Sequence, residues 1–284
     1  MTDALVSTQW LAVRLNDPSI LIVDASYFVP GGIAPAKAQF AEGHLPGAYF
    51  FDINDVADPN GRKDHTFPTA AIFAAKVGAL GITNAHHIIA YDYMGGACAA
   101  ARVWWMFRHF GHAKVSVLDG GLKKWKAENR ALSTEDPKIL PAYFDTVATR
   151  SIVRSCTDMQ ANIVAKTWQT VDARGAGRFE GTEPEPRPGL RSGHIPSARN
   201  VPFATLLESS TQTFKDKAAI KKAFISAGVD LSKPITTTCG SGVTACTVAL
   251  GAYLVGKTDV NIYDGSWLEW GADSTLPLEA GPAK

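Results

Sequence analysis

Apolar residues along this chain gather in short unbroken runs. ILIVDA (residues 20–25), HIIAYD (87–92) and VSVLDG (115–120) occupy the first half, and WQTVDA (168–173), ITTTC (235–239) and VNIYDG (260–265) the second. Runs that are apolar or β-branched, without regular polar alternation, suit strands covered on both faces, and such strands belong to parallel sheets. Segments of helical pattern separate them: Thr8–Leu15 behind a Ser7 cap, Ala70–Leu80, Ala99–Phe110 and Val243–Val255. Each is placed to serve as a crossover between parallel strands. The pattern predicts an α/β chain, with mainly parallel sheets flanked by helices.

The order of the runs repeats. Val23-Asp24-Ala25 returns as Val171-Asp172-Ala173 after 148 residues, and Gly43-His44-Leu45-Pro46-Gly47-Ala48 as Gly193-His194-Ile195-Pro196-Ser197-Ala198 after 150. Asp119-Gly120-Gly121 with Trp125 returns as Asp264-Gly265-Ser266 with Trp270 after 145. Matches in one order at nearly one offset indicate two copies of a single domain. We read the copies as 1–135 and 157–284, with the mixed segment 136–156, which holds Pro137 and Pro141, as the linker. His44 and His194 occur in both copies, which favours a structural role in the turn over catalysis. Trp104, Trp105, Trp125 and Trp270 are read as packing residues.

Composition narrows the function classes. The length of 284 residues suits two domains, and 28 Lys+Arg against 27 Asp+Glu give a net charge of +1. A balanced surface lacks the dense basic field that nucleic acid or a membrane surface needs, so neither is expected as a partner. The most apolar stretch, Ala245 to Val255, is interrupted by Thr247 and Gly251 and falls short of the roughly 20 residues a bilayer demands. The N-terminus shows no basic region followed by an apolar one, so a cytoplasmic chain is expected, or a mitochondrial one if the source is eukaryotic. Four cysteines without a C-x-x-C pair make neither a disulfide scaffold nor a zinc site. A functional cysteine here acts as a thiol.

One cysteine stands in a telling place. Thr236-Thr237-Thr238-Cys239-Gly240-Ser241-Gly242-Val243-Thr244-Ala245 sets Cys239 directly after a strand run and before a helical one. A loop with two glycines at that junction can curl so that its N–H groups point inward against a helix N-terminus, which makes an anion cradle. Gly240, Ser241, Gly242, Val243 and Thr244 would line it. Beside the sulfur, such a ring would favour thiolate and lower the pKa below the ~8.5 of a free cysteine. A merely structural cysteine has no use for the glycines. The counterpart in the first copy is Asp92, followed by Gly95 and Gly96, so one copy keeps a nucleophile and the other does not. Cys246 is read as a core residue, with a resolving thiol as the alternative; Cys98 and Cys156 carry no functional reading.

The C-G-S-G-V-T loop, the paired G-H-[LI]-P-x-A and D-G-[GS]-x-x-x-W motifs, and the aspartate at the vacant site together resemble the tandem-domain rhodanese superfamily over nearly the whole chain. The resemblance implies an inactive first domain, an active second one, and sulfur transfer through a persulfide on Cys239, with no metal or organic cofactor. It also implies a histidine from the first domain near the cysteine, here His65, which with Ser241 would form a relay that polarises the substrate carbonyl or moves its proton. The usually acidic position of that relay is Asn54, which orients an imidazole but does not stabilise imidazolium, so a full triad is not expected. Donor choice follows from charge. Thiosulfate-using relatives place basic residues where this loop has Gly240 and Ser241, and the loop carries no cation of its own. A neutral loop suits a monoanionic α-keto acid. The resemblance assigns 3-mercaptopyruvate, with its carboxylate and keto group held by the guanidinium forks of Arg178 and Arg187. The sulfur would then pass to a thiol acceptor, such as a thioredoxin-type protein or a small thiol, or to cyanide.

Thiosulfate as donor is the alternative within this class. A phosphatase or arsenate reductase would share the strand–loop–helix cradle but needs an arginine where this chain has Ala245. A regulatory binding module built on a dead domain is the non-enzymatic alternative, and the retained Cys239 speaks against it.

Overall fold

In the computed structural model, which describes residues 3–28, 34–95, 98–149 and 152–283, all six apolar runs form strands. The chain divides into two units, 1–149 with 210–213 and 150–209 with 214–284. The first runs β1 (Leu5–Val6), α1 (Thr8–Ala12), β2 (Ile20–Asp24), α2 (Ala34–Glu42), β3 (Tyr49–Phe50), α3 (Ala70–Ala79), β4 (His87–Tyr91), α4 (Ala99–His109), β5 (Val115–Leu118) and α5 (Gly121–Ala127). Its five parallel strands lie in the order β1-β5-β4-β2-β3. The second repeats the plan with β6 (Val153–Arg154), α6 (Cys156–Ala165), β7 (Gln169–Asp172), α7 (Ala176–Glu180), β8 (Arg199–Asn200), a 3₁₀ turn at Phe203–Leu206, α8 (Lys217–Ser226), β9 (Ile235–Thr238), α9 (Ala245–Leu254), β10 (Val260–Tyr263) and α10 (Ser266–Trp270). Its parallel order is β6-β10-β9-β7-β8. Each unit is thus a five-stranded parallel sheet flanked by helices, the α/β class the runs predict. No helix among the described residues is long and apolar enough to cross a membrane.

The central strands are buried throughout: Ile88, Ile89, Ala90 and Tyr91 of β4 and all four residues of β9. The edge strands β1 and β3 have two residues each, too few for any period to reveal. α1 starts at the expected cap, with the Ser7 hydroxyl accepting the Trp10 N–H, but ends at Ala12 rather than Leu15. There the Arg14 N–H donates to Leu11 O, an i→i−3 bond that tightens the last turn. α9 begins at Ala245 rather than Val243, which leaves Val243 and Thr244 in the preceding loop. The repeated motifs do repeated structural work. His44 and His194 each use Nδ1 on a backbone carbonyl 2.8 Å away and stack on a phenylalanine, Phe40 or Phe179. Trp125 and Trp270 are buried, and each donates its Nε1–H to a later carbonyl at 2.8 Å. Part of the segment read as linker lies on the first unit: the Ala142 N–H donates to Gly78 O, and Phe144 is buried edge-on against Phe73.

In the second unit β7 is flanked on one side by β8 and on the other by β9, so the direction of winding reverses between β7 and β9. Loops that leave the C-terminal ends of two such strands diverge and open a crevice, the usual ligand position in an open parallel sheet. The Ala173 N–H still donates to Thr238 O at 2.8 Å, so the loop that follows β7 and the one that carries Cys239 leave side by side.

Candidate active site

Cys239 opens the loop after β9, 2% exposed, and its Sγ accepts the Gly242 N–H at 3.1 Å. Gly242 adopts φ +84°, a left-handed conformation that costs a side-chain-bearing residue about 1–2 kcal/mol, and this turn aims its N–H back at the sulfur. α10 holds the outside of the loop. The Trp267 N–H donates to Cys239 O at 3.0 Å and the Leu268 N–H to Gly240 O at 2.8 Å, so both carbonyls face away from the cradle. Ser266 completes the clamp: its hydroxyl accepts the Cys239 N–H at 3.2 Å and donates to Tyr263 O at 2.8 Å. Among the described residues, the N–H groups of Val243 and Thr244 donate to nothing, and both stand at the head of α9. These are donors without acceptors at the positive end of a helix, which is the composition of an anion site.

The first unit shows what that loop shape holds. Its Leu122 N–H donates to Asp92 O at 3.0 Å, as Trp267 does to Cys239, so Asp92 occupies the station of the cysteine. The Asp92 carboxylate accepts N–H groups from Met94, Cys98 and Ala100 at 2.8–3.1 Å. Gly96 lies outside the described residues. The first copy therefore carries an anion of its own in the ring of N–H groups. Asp92→Ala would leave two buried donors and one part-buried donor without an acceptor, and a loss of about 3 kcal/mol of stability is expected in urea unfolding. Asp92→Asn, which keeps an acceptor oxygen, should lose less than half of that.

The loop after β7 supplies the cations. Arg174 is buried: it grips both oxygens of Asp172, donates to Gly193 O at 2.8 Å, and lies 4.3 Å over the Trp267 ring. Burial works against its charge, but Asp172 and Glu185 more than offset this and hold its pKa above the ordinary arginine value. Glu185 accepts from Arg174 Nη1 at 2.7 Å on one oxygen and from Arg178 Nη2 at 2.6 Å on the other. Arg178 in turn lies against Gly240, its Nη2 3.0 Å from where a Cβ would stand. The cysteine loop carries no cation of its own, and α7 brings the Arg178 guanidinium against it across 61 residues of chain. Glu185 tempers that charge. Arg187, half-buried on the same β7–β8 connection, makes no ion pair or hydrogen bond among the described residues.

Of the expected site residues, the second unit brings together Cys239, Gly240, Gly242 and Arg178, with Ser241 at 5% exposure in the same loop and Val243 and Thr244 at its end. His65 belongs to the first unit, 2% exposed and edge-on to Tyr27. Asn54 donates its backbone N–H to Asp52. Cys246 is a core residue, 1% exposed, with its Sγ 3.5 Å from Gly242 O. Sequence reasoning missed Ser266, Arg174 and Glu185. The repeat held the signal for the first two: Ser266 stands where the first copy has Gly121, and Arg174 where it has Ser26. Positions at which two copies diverge while their neighbours match mark what the active copy needs.

The family model for a rhodanese-like domain matches residues 7–128 and 155–273. The chain is similar to human 3-mercaptopyruvate sulfurtransferase, 47% identical over 272 residues that cover 94% of this chain and 91% of that protein. It is also similar to the thiosulfate sulfurtransferase of Cricetulus griseus, 43% identical over 273 residues with the same coverage, 94% and 91%. Among solved structures it resembles SseA from Escherichia coli, described with the 3-mercaptopyruvate sulfotransferases, at 36% identity and a TM-score of 0.83 over 94% of this chain and 99% of that one.

Proposed function

The chain belongs to the family built from rhodanese-like domains, and from that premise we propose that Cys239 takes the sulfur of 3-mercaptopyruvate as a persulfide and hands it to a thiol. It is an enzyme, a sulfurtransferase of the 3-mercaptopyruvate type. The observation that carries the site assignment is the sulfur itself, buried at a strand end with the Gly242 N–H on it and the Arg178 guanidinium against the next residue.

The chemistry follows from those positions. The Cys239 thiolate attacks the donor sulfur, a sulfur–sulfur bond forms, and the carbon–sulfur bond breaks with its electron pair moving onto the donor's C3. The resulting enolate takes a proton and leaves as pyruvate. The persulfide terminus lies toward the Val243 and Thr244 N–H groups, which supply donors for its charge as the first unit's ring does for the Asp92 carboxylate. An acceptor thiolate then attacks the outer sulfur and regenerates the Cys239 thiolate; cyanide would do so to give thiocyanate. Arg187, with the Nη1 edge of Arg178, holds the donor carboxylate, and the Ser241 hydroxyl polarises its carbonyl. Charge supports the keto acid. Asp172 offsets Arg174 and Glu185 offsets Arg178, whereas Arg187 has no carboxylate partner among the described residues and is left as a cation for one carboxylate. Thiosulfate as donor is the second reading, favoured by the Cricetulus griseus relative.

A mass spectrum after brief incubation with 3-mercaptopyruvate tests the proposal. One sulfur atom should be added on the Cys239 peptide at the position of Cys239, none on Cys246, with one pyruvate released per sulfur. Pyruvate without the persulfide would overturn the mechanism.

A further inference from the structure

The charged groups behind Arg178 form a chain that the transfer mechanism does not itself use. Glu185, its side chain 2% exposed, stands between Arg174 at 1% and Arg178 at 24%. A carboxylate so far from water is tolerated because both of its oxygens are taken by guanidinium groups. Arg174 is itself fixed by Asp172, Gly193 O and the face of Trp267, whose backbone N–H holds the Cys239 carbonyl. Nothing in that set is free to swing. Arg178 is different: one of its three guanidinium nitrogens, Nη1, makes no bond among the described residues, and its side chain is partly exposed. Left alone, a long side chain in this position would sample many rotamers and be poorly aimed.

We propose that Glu185 is a positioning residue for the substrate-binding Arg178. Resting on the reading of Arg178 above, Glu185 occupies the Nε and Nη2 side of the guanidinium at 3.3 and 2.6 Å, and thereby holds its Nη2 corner against Gly240 and leaves Nη1 for the donor. Arg174 acts behind it, as the rigid anchor that holds the carboxylate. The first unit fits this division of labour. It keeps the equivalent strand-end aspartate, Asp24, whose side chain accepts the Ser26 N–H as that of Asp172 accepts the Arg174 N–H, but it has a serine in place of the anchor arginine. Without an arginine partner, burial pushes the Asp24 carboxyl above its ordinary value.

The test is a cycle of variants at Glu185 and Arg178. Glu185→Asp keeps the charge that Arg174 requires but shortens the reach by one methylene, and Glu185→Gln keeps the reach without the charge. Each is expected to raise KM for 3-mercaptopyruvate about tenfold while kcat stays within about threefold. In an Arg178→Ala background neither should add anything, because a residue that acts only through Arg178 has nothing left to position. Should Glu185→Gln fail to fold, Glu185→Asp carries the cycle. Wild-type KM in a folded Glu185→Asp, or the full tenfold effect persisting without Arg178, would overturn the proposal. Failure of the functional reading shows differently, as wild-type Cys239 that gains no sulfur from 3-mercaptopyruvate. The same cycle is then read by calorimetric titration with pyruvate, a simple keto carboxylate, and a loss of affinity that does not depend on Arg178 again overturns the clamp.

Discussion

Cys239→Ser is expected to abolish sulfur transfer, with turnover below about one thousandth of wild type for every donor. The reason is chemical rather than steric. A serine hydroxyl fits the space, and the Gly242 N–H, the Ser266 hydroxyl and the α10 clamp would all remain. But oxygen does not accept and hold a sulfane sulfur, so the first half-reaction has no product. Cys246→Ser is the matched control: that residue is a core side chain 3.5 Å from Gly242 O, and a hydroxyl can make the same contact, so most activity should survive. The measurement is pyruvate release from 3-mercaptopyruvate under single-turnover and steady-state conditions. Residual steady-state activity of Cys239→Ser comparable to wild type would remove Cys239 as the sulfur carrier.

The second large effect is expected at the two arginines. Arg178→Ala and Arg187→Ala each remove charge-assisted hydrogen bonds to the donor carboxylate worth about 1.5–3 kcal/mol, which corresponds to a KM increase of roughly ten- to a hundredfold. The two differ in their surroundings. Arg178→Ala also strands Glu185, a buried carboxylate that would keep only Arg174 as a partner, so a loss of thermal stability should accompany its kinetic defect. Arg187 has no ion pair or hydrogen bond to lose among the described residues, so its alanine variant should melt with wild type. Unchanged KM in both variants would place the carboxylate elsewhere.

Much of this protein is legible without coordinates because its signals are local and occur twice. Strand runs such as HIIAYD and ITTTC are buried on both faces, so solvent imposes no alternation and the composition alone announces the element. The strand–Cys–Gly-x-Gly–helix order around Cys239 is likewise contiguous, and its comparison with Asp92 points to the second copy as the candidate active one. Elements of two residues, such as β1 and β3, exceed what any period can carry. The start of α9 is missed for a related reason: Val243 and Thr244 are apolar or β-branched enough to extend the helical pattern, while the loop needs them outside it to free their N–H groups.

Charge at the site is where a linear reading fails. Along the chain the cysteine loop is neutral, yet a guanidinium lies against Gly240 because β7 and β9 are neighbours with their C-terminal ends together. Glu185 is one acid in a run of acids and prolines, and its meaning depends on which arginines the fold sets against it. Coulombic and hydrogen-bond terms act through space over a few ångströms, whereas hydrophobic periodicity acts along the chain. The pattern along the chain therefore carries the α/β class and the duplicated domain, and it singles out Cys239 as the candidate nucleophile. Strand order at the winding reversal sets the rest through space: how Arg178 meets Gly240, and that Glu185 is the carboxylate holding both Arg174 and Arg178.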